Sequence, residues 1–328
     1  AFGMYALVDS GVFSSGEIAT MGARSHGMVA SGDSWAVNTG SIITSGDYSH
    51  GMHALNNSLA FSSGDVLTTG YTSNGMTADN GSLAFNTGSI LTEGVFSYGM
   101  VARYGSAAVN TGSIETTNYR ALGMYAWDGS LLVNTGEITT GGDDSEGMKA
   151  ENGSLAVSTG SITTIGERSH GIYALTDSVG VNTGTIGTTG RNALGIYSRE
   201  NSYILNSGDI GTAGDFAYGM YAYDGSSADN YGVVVTSGDE AYGMVADLFS
   251  VARNFLDVTT YGDGSHGMWA YDHSEIHNIL AAETVETWGD GSHGMMAETN
   301  SYAYNDGSVI THGDGSYGMY ALDASSAD

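Results

Sequence analysis

The sequence predicts an all-β chain, a right-handed single-chain parallel β-helix (β-solenoid) with three short strands per 24-residue rung and about 13 rungs. Three observations carry that prediction. A Gly-Met-x-Ala tetrad returns at a fixed period, apolar and small residues fall on alternate positions within it, and the composition favours strand over helix.

The tetrad sets the coil. Its anchor glycines are Gly3, Gly27, Gly51, Gly75, Gly99, Gly123, Gly147, Gly171, Gly195, Gly219, Gly243 and Gly267, each 24 residues from the last. After one interval of 27 it resumes at Gly294 and Gly318. A period of this size marks a stack in which each unit contacts its neighbours, so residues 1–328 read as one continuous solenoid. The longer interval is a three-residue turn insertion within 279–284.

Each element follows from its place after the anchor glycine, counted as zero. The first strand is Gly-Met-x-Ala, with Met or Ile at +1 and Ala at +3. The second is Ser-x-Ala-x-Asn, with Ser at +7 and Asn at +11. The third is Ser-Ile-x-Thr, with Ile or Val at +15 and Thr at +17. Turns rich in Gly and Asp, such as Ser45-Gly46-Asp47, separate them. All the recurrent positions are odd, and a period of two is that of a strand; a helix would need apolar residues three and four apart. Counterpart strands should pair about 4.8 Å apart, giving a body roughly 60 Å long, and parallel crossovers favour the right-handed coil.

The odd set is therefore the expected interior. Asn38, Asn86, Asn110, Asn134, Asn182, Asn206, Asn230, Asn254, Asn278 and Asn305 form one column. Identical amides one rung apart can satisfy each other as a ladder; the alternative is a solvent-facing turn position that staples the local backbone.

The even positions +8 and +10 are also apolar in many rungs: Trp35 and Val37, Leu59 and Phe61, Leu83 and Phe85, Leu131 and Val133, Leu155 and Val157, Tyr203 and Leu205. Later rungs place Ser227 and Asp229, Val251 and Arg253, Glu275 and His277 there, and an interior column does not absorb such charges. These positions should face out, as an interaction stripe that changes character near residue 226, or as ordinary exposed strand hydrophobes.

Charge excludes several classes. Against 8 Lys and Arg stand 36 Asp and Glu, for a net charge of −28, which repels nucleic acid and anionic membrane. There is no Cys for disulfides or thiolate ligands, and no apolar run approaches the roughly 20 residues of a membrane span. Nothing resembles the long, charged turns of β-helix lyases, so no enzyme is expected and no cofactor. Asp263, Asp290 and Asp314 lie in repeated Gly-Asp-Gly-Ser turns and are weak calcium candidates, although their spacing matches no established calcium loop; solvated turns are the plainer reading. His266, His273, His277 and His293 gather towards one end, but from different faces of the unit. His26, His50, His170, His266 and His293 share the position before the anchor with Tyr98, Tyr218, Tyr242 and Tyr317. Position +2 carries Tyr5, Tyr125, Tyr173, Tyr197, Tyr221 and Tyr320, expected to face out. Such columns suit cross-rung stacking, sugar rings or another subunit.

The run Gly27–Thr44, with its Gly-Met-x-Ala and Ser-x-Ala-x-Asn-x-Gly-x-Ile-x-Thr elements, resembles the repeats of autotransporter passenger domains and large bacterial adhesins, over essentially the whole chain. The resemblance implies secretion across an outer membrane and display at the cell surface. The expected role is structural or adhesive, in a filament, sheath or matrix that self-associates laterally or end to end. The alternative is a monomeric adhesin stalk that binds a glycan or host-surface ligand. The chain opens at Ala1-Phe2-Gly3 and stops at Ser325-Ser326-Ala327-Asp328 within ordinary repeat, so a segment of a longer chain, or covered ends, is expected.

Overall fold

The structure, a computed structural model, describes residues 2–281 and 283–328. Ala1, at the opening of the first tetrad, and Ala282, inside the insertion, lie outside the described residues. The chain is an all-β, right-handed parallel solenoid of about fourteen turns with three strands per rung, and it contains no helix among the described residues. It divides into two compact units, Ala1–Ile165 and Gly166–Asp328.

In the first unit a rung is exemplified by Met76–Asp79, Leu83–Asn86 and Ser89–Thr92. Each strand pairs in parallel with its counterpart 24 residues away: Met76 with Met52 and Met100, Leu83 with Leu59 and Ala107, Ile90 with Val66 and Ile114. Three sheets of seven strands result. Met76, Ala78, Ala84, Asn86, Ile90 and Thr92 are all buried. A fully buried Met or Ile contributes about 1.5–3 kcal/mol by area, and each rung supplies two. The anchor is Gly because the coil is tight there: a Cβ on Gly99 would strike Ile114 and the carbonyl oxygen of Gly123.

The polar interior is satisfied by ladders. Asn86 Nδ2 donates to Asn110 Oδ1 at 2.9 Å, and Asn110 Nδ2 to Asn134 Oδ1 at 2.9 Å. The amide also donates to its own turn, as from Asn110 Nδ2 to the Gly112 carbonyl at 3.2 Å. The Ser58 amide donates to Ser82 Oγ at 3.1 Å, and Thr44 Oγ1 to the Ser49 carbonyl at 2.7 Å. These bonds are what allow polar side chains inside so narrow a core.

The second unit repeats the plan. Its Asn column runs Asn182, Asn206, Asn230, Asn254, Asn278 and Asn305, with spacings of 2.8 to 3.0 Å between amides. Across the insertion, Val258 still pairs with Val285 and Thr260 with Thr287. The extra residues are absorbed in the turn, where the Glu283 amide donates to the Leu280 carbonyl at 3.1 Å.

One expectation changes. Position +2 does not uniformly face solvent: Val29, Thr77, Val101 and Val245 are buried there. Small side chains on the outer face of the first sheet sink beneath larger neighbours, and the turn before the anchor roofs that face.

Candidate functional site

In the first unit the apolar stripe lies on the outer face of the second sheet. Trp35, Leu59, Leu83, Ala107, Leu131 and Leu155 are in register, beside Val37, Phe61, Phe85, Val109, Val133 and Val157. Most are half-buried against one another, and the Phe61 and Phe85 rings stack at 5.7 Å. Only Trp35, at 46% exposure, and Leu155, at 36%, stand well clear. In the second unit Tyr203 and Leu205 pair with Ser227 and Asp229, and the Tyr203 hydroxyl donates to Asp229 at 2.9 Å.

The acidic turns use their carboxylates on the coil itself. Asp263 Oδ1 accepts the Asp290 amide at 2.9 Å, and Asp290 Oδ1 accepts the Asp314 amide at 2.8 Å. The calcium candidates are thus exposed side chains that tie one rung to the next, and among the described residues no cluster of three or more His, Asp or Glu is placed to hold a metal. The column before the anchor works in the same way. His26 Nδ1 accepts the His50 amide, His50 Nδ1 the Asn74 amide, and Asn74 Oδ1 the Tyr98 amide, each at 3.0 Å. Nδ1 accepts only while unprotonated, and burial pushes His26 down to about 4 and His50 well below the usual range. Of the other histidines, His266 and His293 stack at 4.9 Å, whereas His273 and His277 bond to Asp272 and Glu275 elsewhere.

A groove that the sequence reading missed runs along the corner of the first unit. Two adjoining depressions, of about 360 and about 490 Å³, share Phe96, Tyr98 and Tyr125. The floor is the column before the anchor: His50, Asn74, Tyr98, Leu122 and Glu146. Five consecutive rungs make it about 19 Å long at strand spacing. One wall is the outer face of the first sheet, with Val101, Arg103, Tyr125 and Lys149. The other is the preceding turn, with Tyr48, Tyr71, Phe96 and Arg120.

That turn wall is strained. Tyr48, Thr72, Phe96 and Arg120 hold φ of 55°, 52°, 56° and 49°, in the left-handed region, at a cost on the order of 1–2 kcal/mol each. The conformation directs their side chains over the groove. Tyr48, Tyr71, Phe96 and Tyr119 form a row with ring centroids 5.9, 5.7 and 5.9 Å apart.

Three of the eight basic residues of the chain enter this groove, and each meets an acid. Arg103 forks onto Asp79, Nε to Oδ1 at 2.7 Å and a terminal nitrogen to Oδ2 at 3.0 Å, while His53 Nε2 bonds Asp79 Oδ2 at 2.7 Å. Burial alone would raise the Asp79 carboxyl, but the bonds from His53 and Arg103 outweigh it and hold it low. Arg120 lies 3.7 Å from Asp144, and Lys149 3.0 Å from Glu151, which also accepts the Tyr125 hydroxyl at 3.0 Å. Burial raises Glu146 to about 7 and lifts the Tyr98 and Tyr125 hydroxyls above their ordinary range. The sequence signal was available: Arg103, Arg120 and Lys149 fall on neighbouring rungs in an acidic chain. Reading it required knowing that the turn three residues before the anchor folds over the sheet.

The comparisons with known proteins fit this picture. The model of the family described as the BigA third pectate lyase-like domain matches residues 61–160 and again residues 157–255. In structure, the chain is similar to one in the cryo-EM structure of the Vag8-C1 inhibitor complex, with a TM-score of 0.67 and 16% identity over 94% of this chain and 79% of that one. At that identity the likeness is one of fold. No curated protein sequence matches the chain. The family and fold agree with the resemblance to autotransporter passenger repeats.

Proposed function

This chain belongs to the family of the BigA third pectate lyase-like domain, and we propose that it is an extracellular, passenger-type adhesive β-helix whose outer surface recognises a partner at the cell surface. The groove of the first unit carries this reading. It combines concavity, aromatic walls and fixed polar groups, the usual make-up of a recognition site, on a scaffold held rigid by its ladders. We read the pectate lyase likeness as one of coil: the groove's cations are tied to Asp79, Asp144 and Glu151, which suits binding rather than bond cleavage. A chain of similar fold occurs in a complex with a protein inhibitor, which supports a β-helix of this kind engaging a macromolecular partner. The test is adhesion of the purified chain to cultured epithelial cells. Replacing Tyr98 and Tyr125 with Ala should abolish it, whereas undiminished adhesion would end this reading.

A second reading, lateral self-association, is favoured by the in-register stripe with Trp35 and Leu155 exposed. Phe61→Ser with Phe85→Ser should then remove any larger species seen by light scattering while leaving the fold intact. Unchanged scattering would count against it.

A further inference from the structure

We propose that the corner groove of the first unit binds a neutral, extended oligosaccharide lying along the solenoid axis, about one sugar per rung. The inference rests on the adhesive reading above and names the ligand class of the same site.

Three observations select that ligand. The first is charge. On a chain of net charge −28 the groove holds no excess positive charge: Arg103, Arg120 and Lys149 face Asp79, Asp144 and Glu151, and Glu146, raised to about 7 by burial, is only partly charged. An anionic polymer would meet the repulsion of the whole chain with no uncompensated cation to offset it. Hydroxyl groups suit what remains: paired guanidinium and carboxylate edges, the phenol of Tyr98, and the Tyr125 oxygen, which can accept while its own proton goes to Glu151.

The second is periodicity. The rings of Tyr48, Tyr71 and Phe96 line the groove one per rung, 5.9 and 5.7 Å apart and turned edge to face, over a floor whose rungs lie about 4.8 Å apart. Both spacings are close to what one pyranose adds to an extended chain. A sugar ring presents an apolar C–H face to an aromatic ring and hydroxyls at its rim, so a sugar on each of these rungs meets an aromatic face or edge on the turn side and polar groups on the sheet side.

The third is direction. The groove crosses the strands instead of running beside one, and the first sheet's backbone is already paired rung to rung. An extended peptide lying there would find no free edge to join, which removes the main-chain hydrogen bonds that usually hold peptides on sheets. Oligosaccharides need no such edge.

The experiment is isothermal titration of the chain with cellohexaose, chitohexaose and mannohexaose, and with hexagalacturonate as the acidic probe. We expect at least one neutral hexasaccharide to bind, with Tyr125→Ala weakening it about tenfold. Arg120→Ala, a change at a half-exposed side chain, should weaken it too without touching the fold, and Glu115→Gln, at an exposed position of the third sheet, should leave it unchanged. Binding of none of the neutral probes, tighter binding of hexagalacturonate, or binding indifferent to both groove variants overturns the proposal. The cell-adhesion assay separates the two levels. If the groove variants lose adhesion while no sugar binds, the ligand class is wrong and the adhesive reading stands; if they adhere normally, the adhesive reading fails.

Discussion

The corner before the anchor glycine is built in two ways on one scaffold. In the first unit its column runs His26, His50, Asn74, Tyr98, Leu122 and Glu146, and the turn above carries Tyr48, Thr72, Phe96 and Arg120 in left-handed backbone. In the second unit four rings stack and a fifth leans against the last. Tyr218 to Tyr242 is 4.8 Å, Tyr242 to His266 5.0 Å, His266 to His293 4.9 Å and His293 to Tyr317 5.3 Å. The turn beside these rungs holds Phe216 and Glu240 in the same left-handed backbone and then Gly264, Gly291 and Gly315, which adopt positive φ without penalty. A second column, Tyr173, Tyr197 and Tyr221, stacks at 4.7 and 5.1 Å alongside. The strand register is common to both units; the residue before the anchor and the turn above it decide what the corner presents. Evolution of a binding surface here requires no change to the interior.

Two different corners on one coil require a common interior, and the largest expected effect falls there. Asn110→Leu in the first unit removes the rung-to-rung acceptor of the Asn86 amide, which keeps its bond to the Gly88 carbonyl, and takes the Asn110 donor from the Asn134 carbonyl; Asn254→Leu in the second does the same to Asn230, which keeps Gly232, and to Asn278. Each should cost about 2–5 kcal/mol, read as a fall in the guanidinium midpoint, and by similar amounts in the two units. A loss in one unit but not in the other would mean that the corners sit on different scaffolds.

The interior was legible in the sequence because it is periodic. Met, Ala, Asn, Ile and Thr recur at fixed odd positions, and charges such as Asp229 and Arg253 mark the outer parity. The groove was not legible for the opposite reason. It is made of residues that break the period, Phe96, Arg120 and Glu146 among them, and it depends on a turn whose left-handed residues carry no common side chain. The aspartates show a use that spacing alone does not reveal. Repeated Gly-Asp-Gly-Ser suggests a cation, but the carboxylates of Asp263 and Asp290 accept amides of the following rung, a use that only the register reveals. Buried Val101 and Thr77 at an outward position likewise follow from neighbours distant in sequence.

The ring column of the second unit should also be acid-sensitive. Burial, with a smaller contribution from His293, pushes His266 down to about 3 from the ordinary 6.5, and its Nδ1 accepts the His293 amide at 3.0 Å. The unfolded ring takes up its proton first, so the stability tied to His266 is complete above about pH 6.5 and declines as the pH falls towards 3. His266→Asn keeps an acceptor, as Asn74 does in the first unit, and removes the titration. At pH 5 the variant should retain roughly 2 kcal/mol that the parent has lost. Identical melting profiles of variant and parent from pH 7 to pH 4 would show that this column does not sense acid.

The smallest effect isolates the turn. Thr72 is β-branched and held at φ 52°, whereas Gly291 takes φ 64° at the same place in its rung. A Cβ on Gly291 would meet nothing within 4 Å, so Gly291→Thr adds backbone strain without a clash. Thr72→Gly removes the strain, partly offset by the greater freedom that glycine has in the unfolded chain. The two changes should therefore be opposite in sign and close in size, about 0.5–1 kcal/mol, as a gain in midpoint for Thr72→Gly and a loss for Gly291→Thr. If Thr72→Gly destabilises instead, the threonine side chain is holding the groove wall through contacts that outweigh its strained backbone, and the wall is built for stability before binding. A gain in stability accompanied by weaker adhesion would show the reverse: a turn kept strained because of what its side chains do outside the coil.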